Sequence, residues 1–329
     1  MRRAVLLLVA VSGVGCGSDV APGGQGRPDA ALRIVTTVSP ITNIAANIVG
    51  DAAAVTGIVP EGVNSHTFEP TPSDAAIFAT ADIVFVNGLN LEVPTMELAE
   101  AHLPEGARVV ELAPQTITED EWIFDFSFPA RDPNPHLWTN PPYARRYADV
   151  ILETLAAADP GNAETYTANH AALVARLDEL DAAMRQATGT VPPDRRKLLT
   201  YHDSFPYFAR EYGWTVIGAI QPSDFGEPTA QDVAELIDQI RAEAVPAIFG
   251  SEVFPSPVLE QIGRETGVTY VDTLRDDDLP GEPGDPDHSY VGLMVSDFET
   301  MVTALGGDAS ALEALDRANT TEEAATYPQ

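Results

Sequence analysis

From Asn162 to Thr188 the chain runs without a glycine or a proline, and Gly189 closes the stretch. Leu173, Leu177, Leu180 and Met184 recur at steps of four, three and four, which places them on one face of an α-helix. Asp159-Pro160 is a plausible start and Gly189 a plausible stop. A helix over 159–189 would run roughly 40 Å at 1.5 Å per residue. Such a rod can span two lobes and fix their relative orientation.

The flanks of this segment support that use. Before it, short apolar β-branched runs stand at Arg33–Val38, Val55–Val59, Ile83–Asn87 and Arg108–Leu112. After it, they return at Lys197–Tyr201, Thr215–Ala219, Ala247–Ser251 and Thr269–Val271. Helix-like segments alternate with them, among them Ile41–Val49, Ser73–Ala81, Val93–His102, Tyr143–Ala157, Ala230–Ala244, Pro257–Thr266 and Tyr290–Leu305. Strand, helix, strand in this order predicts α/β architecture, with each parallel sheet covered by helices on both faces. The reading is two lobes, residues 32–158 and 190–329, joined by a single long backbone helix over 159–189.

The beginning of the chain reads as a targeting segment. Met1-Arg2-Arg3 is positive, and Ala4–Val11 is apolar but too short to span a bilayer. Cys16, the sole cysteine, follows directly. Residues 1–15 therefore read as a signal peptide cleaved before a lipidated Cys16. Val14 and Gly15 suit the positions ahead of such a cleavage; Gly13 stands where a leucine is usual. The alternative is an ordinary secretory signal with an incidental cysteine. With one cysteine no intramolecular disulfide can form, so an extracytoplasmic domain must rely on its core. Residues 16–31, rich in Gly and Pro, read as a flexible tether.

Charge removes whole function classes. The formal net charge is −32, with Lys197 as the single lysine. No basic patch is available for nucleic acid or for adhesion to anionic lipid, so membrane attachment falls to the lipid anchor. The acidity serves solubility, or a field that draws cations inward.

Three histidines and one aspartate stand in contexts suited to presenting a side chain: His66 in Val63–Pro72, His136 in Asn134–Pro141, His202 in Leu199–Phe205 and Asp272 in Tyr270–Leu274. His202 follows a strand, Asp272 closes one, His66 lies shortly beyond one, and His136 precedes a helix. Ligands of open parallel sheets bind outside the strands' C-terminal ends. Two residues from each half place the site between the lobes. Three imidazoles and a carboxylate complete a tetrahedral shell for zinc. A closed shell leaves no position for a substrate, so the chain is expected to hold metal and not to be an enzyme. A metallohydrolase would need an open position and a base, and neither a His-Glu-x-x-His pattern nor a Ser-His-Asp arrangement is visible. His102 and His170 read as surface or structural residues, and His288 as a loop histidine. The run Asp276-Asp277-Asp278 reads as a solvated loop. Glu69 and Asp203 adjoin ligands and could orient an imidazole, or Asp203 could cap the following helix. The loops Pro60–Ser65 and Gly281–His288, with few apolar residues, are expected to open easily and gate the cleft.

His66–Pro72 (HTFEPTP), Asn134–Trp138 (NPHLW), Tyr201–Phe205 (YHDSF), Ile262–Gly267 (IGRETG) and Ser289–Met294 (SYVGLM) resemble the metal-binding lipoproteins of zinc and manganese ABC importers, over nearly the whole mature chain. The resemblance implies two α/β lobes on a long backbone helix, with metal ligands at His66, His136, His202 and Asp272. It also implies an ABC permease and its ATPase as partners, for a monomer anchored outside the cytoplasmic membrane. Zinc-dedicated members often carry a mobile His-rich loop before the second ligand; Thr116–Pro135 holds no histidine. Manganese-dedicated members usually have glutamate where this chain has His202. Nitrogen-rich ligation favours zinc over manganese. Manganese or iron delivery, or a surface metal-binding adhesin without a transporter, are the alternatives.

Overall fold

The computed structural model describes residues 31–124, 132–221, 229–251, 256–322 and 325–327. The expected signal peptide, Cys16 and all but the last residue of the expected tether lie outside these residues.

The first half alternates as its apolar runs require. In order come β1 (Arg33–Thr36), α1 (Ser39–Val49), β2 (Ala54–Gly57), α2 (Pro72–Phe78), β3 (Ile83–Val86), α3 (Val93–His102), β4 (Arg108–Glu111), α4 (Ala113–Thr116) and α5 (Pro141–Ala158). Prolines in the first turns of α1, α2, α3 and α5 set φ for the helix where no N–H partner is lost. The strands pair in parallel in the order β4-β3-β1-β2. Both faces of the sheet are covered, so its strands are continuous apolar runs. Val35, Val84 and Val86 pack with Phe78 and Ala99 of α2 and α3, whereas Ile34, Ile83 and Phe85 pack toward α1 and α5.

The long helix is α6, Ala163–Thr190, of 28 residues, about 42 Å. Gly189 lies inside its last turn; the helix gives way at Val191, ahead of Pro192 and Pro193. Tyr166, Leu173, Leu177, Leu180 and Met184 form its buried stripe, against α1 and α5.

The second half follows with β5 (Lys197–His202), α7 (Pro206–Tyr212), β6 (Thr215–Gln221), α8 (Ala230–Glu243), β7 (Ala247–Ser251), α9 (Pro257–Thr266), β8 (Thr269–Leu274), α10 (Tyr290–Ala304) and α11 (Ser310–Glu313). Its sheet is parallel, in the order β6-β5-β7-β8. Two lobes, each a parallel sheet covered by helices, are thus joined by α6. One strand escaped the sequence pattern: β9 (Ala325–Thr326) returns to the first sheet and pairs in parallel with β2. A continuous buried cluster runs from Ile41 and Trp138 through Tyr147, Leu177 and Phe208 to Tyr290 and Phe298. The lobes therefore share core as well as a helix, and prising them apart would expose it.

Candidate metal centre

Three peptide segments converge where the two sheets' strand ends meet. His66 sits in the loop between β2 and α2. His136 leads a single 3-10 turn, Leu137–Thr139, just before α5. His202 is the last residue of β5. Their Nε2 atoms form a nearly equilateral triangle, 3.1 Å for His66–His136, 3.2 Å for His66–His202 and 3.1 Å for His136–His202. A tetrahedral zinc with bonds of about 2.0–2.1 Å needs nitrogen–nitrogen edges of about 3.3–3.4 Å. An ion about 1 Å above the plane of this triangle would reach all three nitrogens at such distances.

The histidines are held by one repeated device. Asn64 Oδ1 accepts the backbone N–H of His66 at 2.8 Å, and Asn134 Oδ1 accepts that of His136 at 3.0 Å. Each asparagine stands two residues ahead of its histidine and closes a local turn. Asn134 Oδ1 is also 3.0 Å from Nδ1 of His136, and its Nδ2 donates to the Asp203 carbonyl at 2.7 Å. That orientation makes Nδ1–H the donor and leaves the Nε2 lone pair of His136 facing the other two rings. Trp138 packs on the His136 ring, centroids 5.0 Å apart.

Electrostatics favour neutral rings. Burial holds His66 well below the usual imidazole pKa, and His202 lowers it further. Burial, then His202, then His66 do the same to His136. Three close nitrogen lone pairs with little access to water are a poor place for protons and a good one for a cation.

Asp272 does not join the three histidines in the structure. The apolar run ends at Val271, but β8 continues to Leu274, so Asp272 lies within the strand on an exposed position and does not join the histidine cluster. The residues beyond the strand's C-terminal end are the acidic run read as a solvated loop. Asp276 and Asp277 lie with His136 in one group of possible ligands whose atoms are within 4.8 Å of each other. Ser204 Oγ–H donates to Asp276 Oδ2 at 2.5 Å, and the Trp138 indole N–H donates to the Asp276 carbonyl at 2.6 Å. Asp277 Oδ2 accepts from both Ser65 N–H at 3.1 Å and Ser65 Oγ–H at 2.5 Å, whereas its Oδ1 is buried and has no hydrogen-bond partner among the described residues. Asp278 takes the Gly62 N–H at 3.0 Å. Burial, then the charge of Asp276, pushes the Asp277 carboxyl well above its usual range. A buried carboxylate oxygen without a hydrogen-bond partner, grouped with His136, suits a cation.

These bonds also correct the picture of the cleft loops. Pro60–Ser65, read as free to open, is tied to Asp277 and Asp278 through Ser65 and Gly62. His288 is fully buried, its Nε2 3.5 Å from Glu61 Oε1 of that loop and its ring edge-on to Tyr327. His102 and His170 do not join the histidine group: His102 bonds its own helix at the Leu98 carbonyl, and His170 meets Asp149. Glu69 is exposed. Asp203 is buried and serves Asn134 through its carbonyl, while Phe205, not Asp203, precedes α7 as its cap.

Residues 34–304 match the family of ZnuA, the zinc-uptake complex component A, periplasmic. The chain belongs to that family. It is 32% identical to the iron-binding protein YfeA of Yersinia pestis over 279 residues, 84% of this chain and 86% of the relative. It is 28% identical to the manganese-binding lipoprotein MntA of Halalkalibacterium halodurans over 301 residues, 92% of this chain and 97% of the relative. Among solved structures it resembles the periplasmic zinc-binding protein TroA of Treponema pallidum, with a TM-score of 0.75 and 28% identity, covering 84% of this chain and 99% of the other.

Proposed function

We propose that the protein captures a single divalent transition-metal ion outside the cytoplasmic membrane and hands it to the permease of an ABC importer. The observation that carries this is the triangle of Nε2 atoms at 3.1–3.2 Å, contributed by both halves of the chain. The proposed shell is His66, His136 and His202, with Asp277, an oxygen of which lies within 4.8 Å of a His136 ring nitrogen, as the fourth ligand in place of Asp272. Four ligands close a tetrahedral site, which suits capture and release and leaves no position for a reacting substrate. Partnership with a permease and its ATPase follows from membership of an uptake family. Among the described residues no helix is long and apolar enough to cross a membrane, and anchorage is assigned to lipid on Cys16 of a monomeric chain.

Zinc is the proposed cargo. Relatives carry names for iron, manganese and zinc, so the choice rests on this chain's ligands. Ser65 occupies one oxygen of Asp277, which leaves a single oxygen for the ion. Three nitrogens and one oxygen match tetrahedral zinc, whereas manganese favours oxygen-rich six-coordination. Manganese or iron delivery is the second reading, favoured by the relatives' names. Competition titration of metal-free protein with zinc against manganese decides it. Tighter zinc is expected, and equal or tighter manganese would overturn the assignment.

A further inference from the structure

Of the three histidines, His136 has the least regular support. His202 ends a strand, and the loop of His66 is tied down by Asp277 and Asp278. His136 lies between Pro135 and a single 3-10 turn, where prolines supply no N–H donors. Its backbone is nevertheless clamped on both sides. Asn134 Oδ1 accepts the His136 N–H. On the other side, Asn87 Nδ2 donates to the Pro135 carbonyl, the one directly before His136, at 2.9 Å.

Asn87 reaches that carbonyl from an unusual turn. Gly88, Leu89 and Asn90 follow β3 with φ of 83°, 54° and 64°. Three consecutive left-handed residues, one of them a buried leucine, cost free energy and persist only where their surroundings fix them. At Gly88 the positive φ favours glycine, and a Cβ there would also crowd Glu111 Cβ and Pro114 Cδ at 3.2 Å. The fixing group is Glu92, the residue just before α3, whose side chain turns back into the lobe and is 1% exposed. Its Oε1 accepts the Asn87 N–H at 2.6 Å and the Thr37 Oγ1–H at 2.9 Å, and its Oε2 accepts the Gly88 N–H at 3.1 Å.

A serine or threonine could cap α3 at far lower desolvation cost. Burial pushes the Glu92 carboxyl up to about 7 against the lowering effect of its donors. Such a carboxylate is spent on aiming the Asn87 amide. Both ends of that amide are used, since Tyr147 Oη–H donates to its Oδ1 at 2.6 Å. We infer that Glu92 is a positioning residue for metal capture: it closes the left-handed turn Asn87–Glu92 and, through Asn87, sets the backbone of His136. This rests on the metal-capture reading above. Binding constellations tolerate displacements of only about 0.5 Å, so a slack His136 peptide weakens the shell without touching the ion.

The test uses the full mature chain with zinc and, as an optical probe, cobalt(II). Glu92→Gln keeps the shape but sets an amide N–H against a donor. Asn87→Ala cuts the link to Pro135 and leaves Glu92 in place. Each is expected to lose about tenfold to hundredfold in affinity and to alter the tetrahedral cobalt absorption bands. Because both act through one bond, the double variant should bind no more than about twofold more weakly than the weaker single variant. Wild-type affinity and an unchanged cobalt spectrum in both single variants, or additive losses in the double, would overturn the inference. Failure of the unsubstituted chain to bind either ion would instead sink the capture reading, so the two failures are distinguishable.

Discussion

Replacing Asp277 by alanine tests the proposed ligand set against the one the sequence indicated, with Asp272. The substitution removes the unpaired Oδ1 and the Oδ2 that accepts two bonds from Ser65. Two effects on the metal-free protein oppose each other. The Ser65 donors lose their partner, at about 1–3 kcal/mol, but a carboxyl whose burial raises its pKa is gone. Thermal stability is therefore an ambiguous reporter, and metal affinity is the one to read. Losing a group that merely orients a ligand weakens a site about 10–100-fold. Losing the ligand itself should exceed about 100-fold, ~2.7 kcal/mol at about 1.4 kcal/mol per decade. Asp276→Ala should cost about tenfold at most, since Ser204 already holds its Oδ2. Asp272→Ala, on an exposed strand position, should stay within about 0.5 kcal/mol, roughly twofold. The assay is competition for zinc with a chromophoric chelator at fixed pH. A loss at Asp272→Ala comparable to that of a histidine variant, with Asp277→Ala near wild type, would refute the reasoning.

Three further outcomes are expected. Ser65→Ala frees the second oxygen of Asp277, so the ratio of manganese to zinc affinity should rise; an unchanged ratio in competition titration counts against Ser65 as a selectivity device. His66 and His136 have lowered pKa in the fold, so below about 6.5 these rings bind more protons in the unfolded chain than in the folded one; their contribution to metal-free stability should be full above about 6.5 and be lost as pH drops below it, so the difference in stability between the unsubstituted chain and His136→Ala in denaturant melts should shrink at acidic pH. Zinc at about 100 times its Kd should add about 2.7 kcal/mol and raise Tm by roughly 5–10 °C; no shift in a scanning fluorimetry series would mean that no tight site exists.

Much of the architecture was legible because burial on both faces leaves apolar runs that stand out. All eight runs that the sequence offered became strands, and the four-three-four leucine spacing marked the buried stripe of α6. β9 was not legible: two residues with no pattern of their own are recruited by the free edge of β2. The three histidines could be found because His202 ends a strand, His136 leads a helical turn, and His66 stands in the loop that follows β2. The asparagine two residues before His66 and again before His136 was a visible signal of how they are held. The surroundings of the acidic residues were hidden for one physical reason. β8 runs three residues past its apolar run, through Asp272 and Thr273 to Leu274, so the acids that reach the cleft are those after Leu274. A run of three aspartates looks solvated in a sequence, and only the fold reveals Ser65, Ser204 and Gly62 as its partners. The turn at Asn87–Glu92 was hidden for a similar reason, since nothing in Gly-Leu-Asn announces three left-handed residues in a row.

The most direct measurement of the central claim is zinc K-edge X-ray absorption on the full mature chain loaded with one equivalent of zinc. Four scatterers at about 2.0–2.1 Å are expected, with multiple-scattering features of three imidazoles, and a shell that loses one oxygen in Asp277→Ala. A six-coordinate, oxygen-rich shell, or one with fewer than three imidazoles, would contradict it.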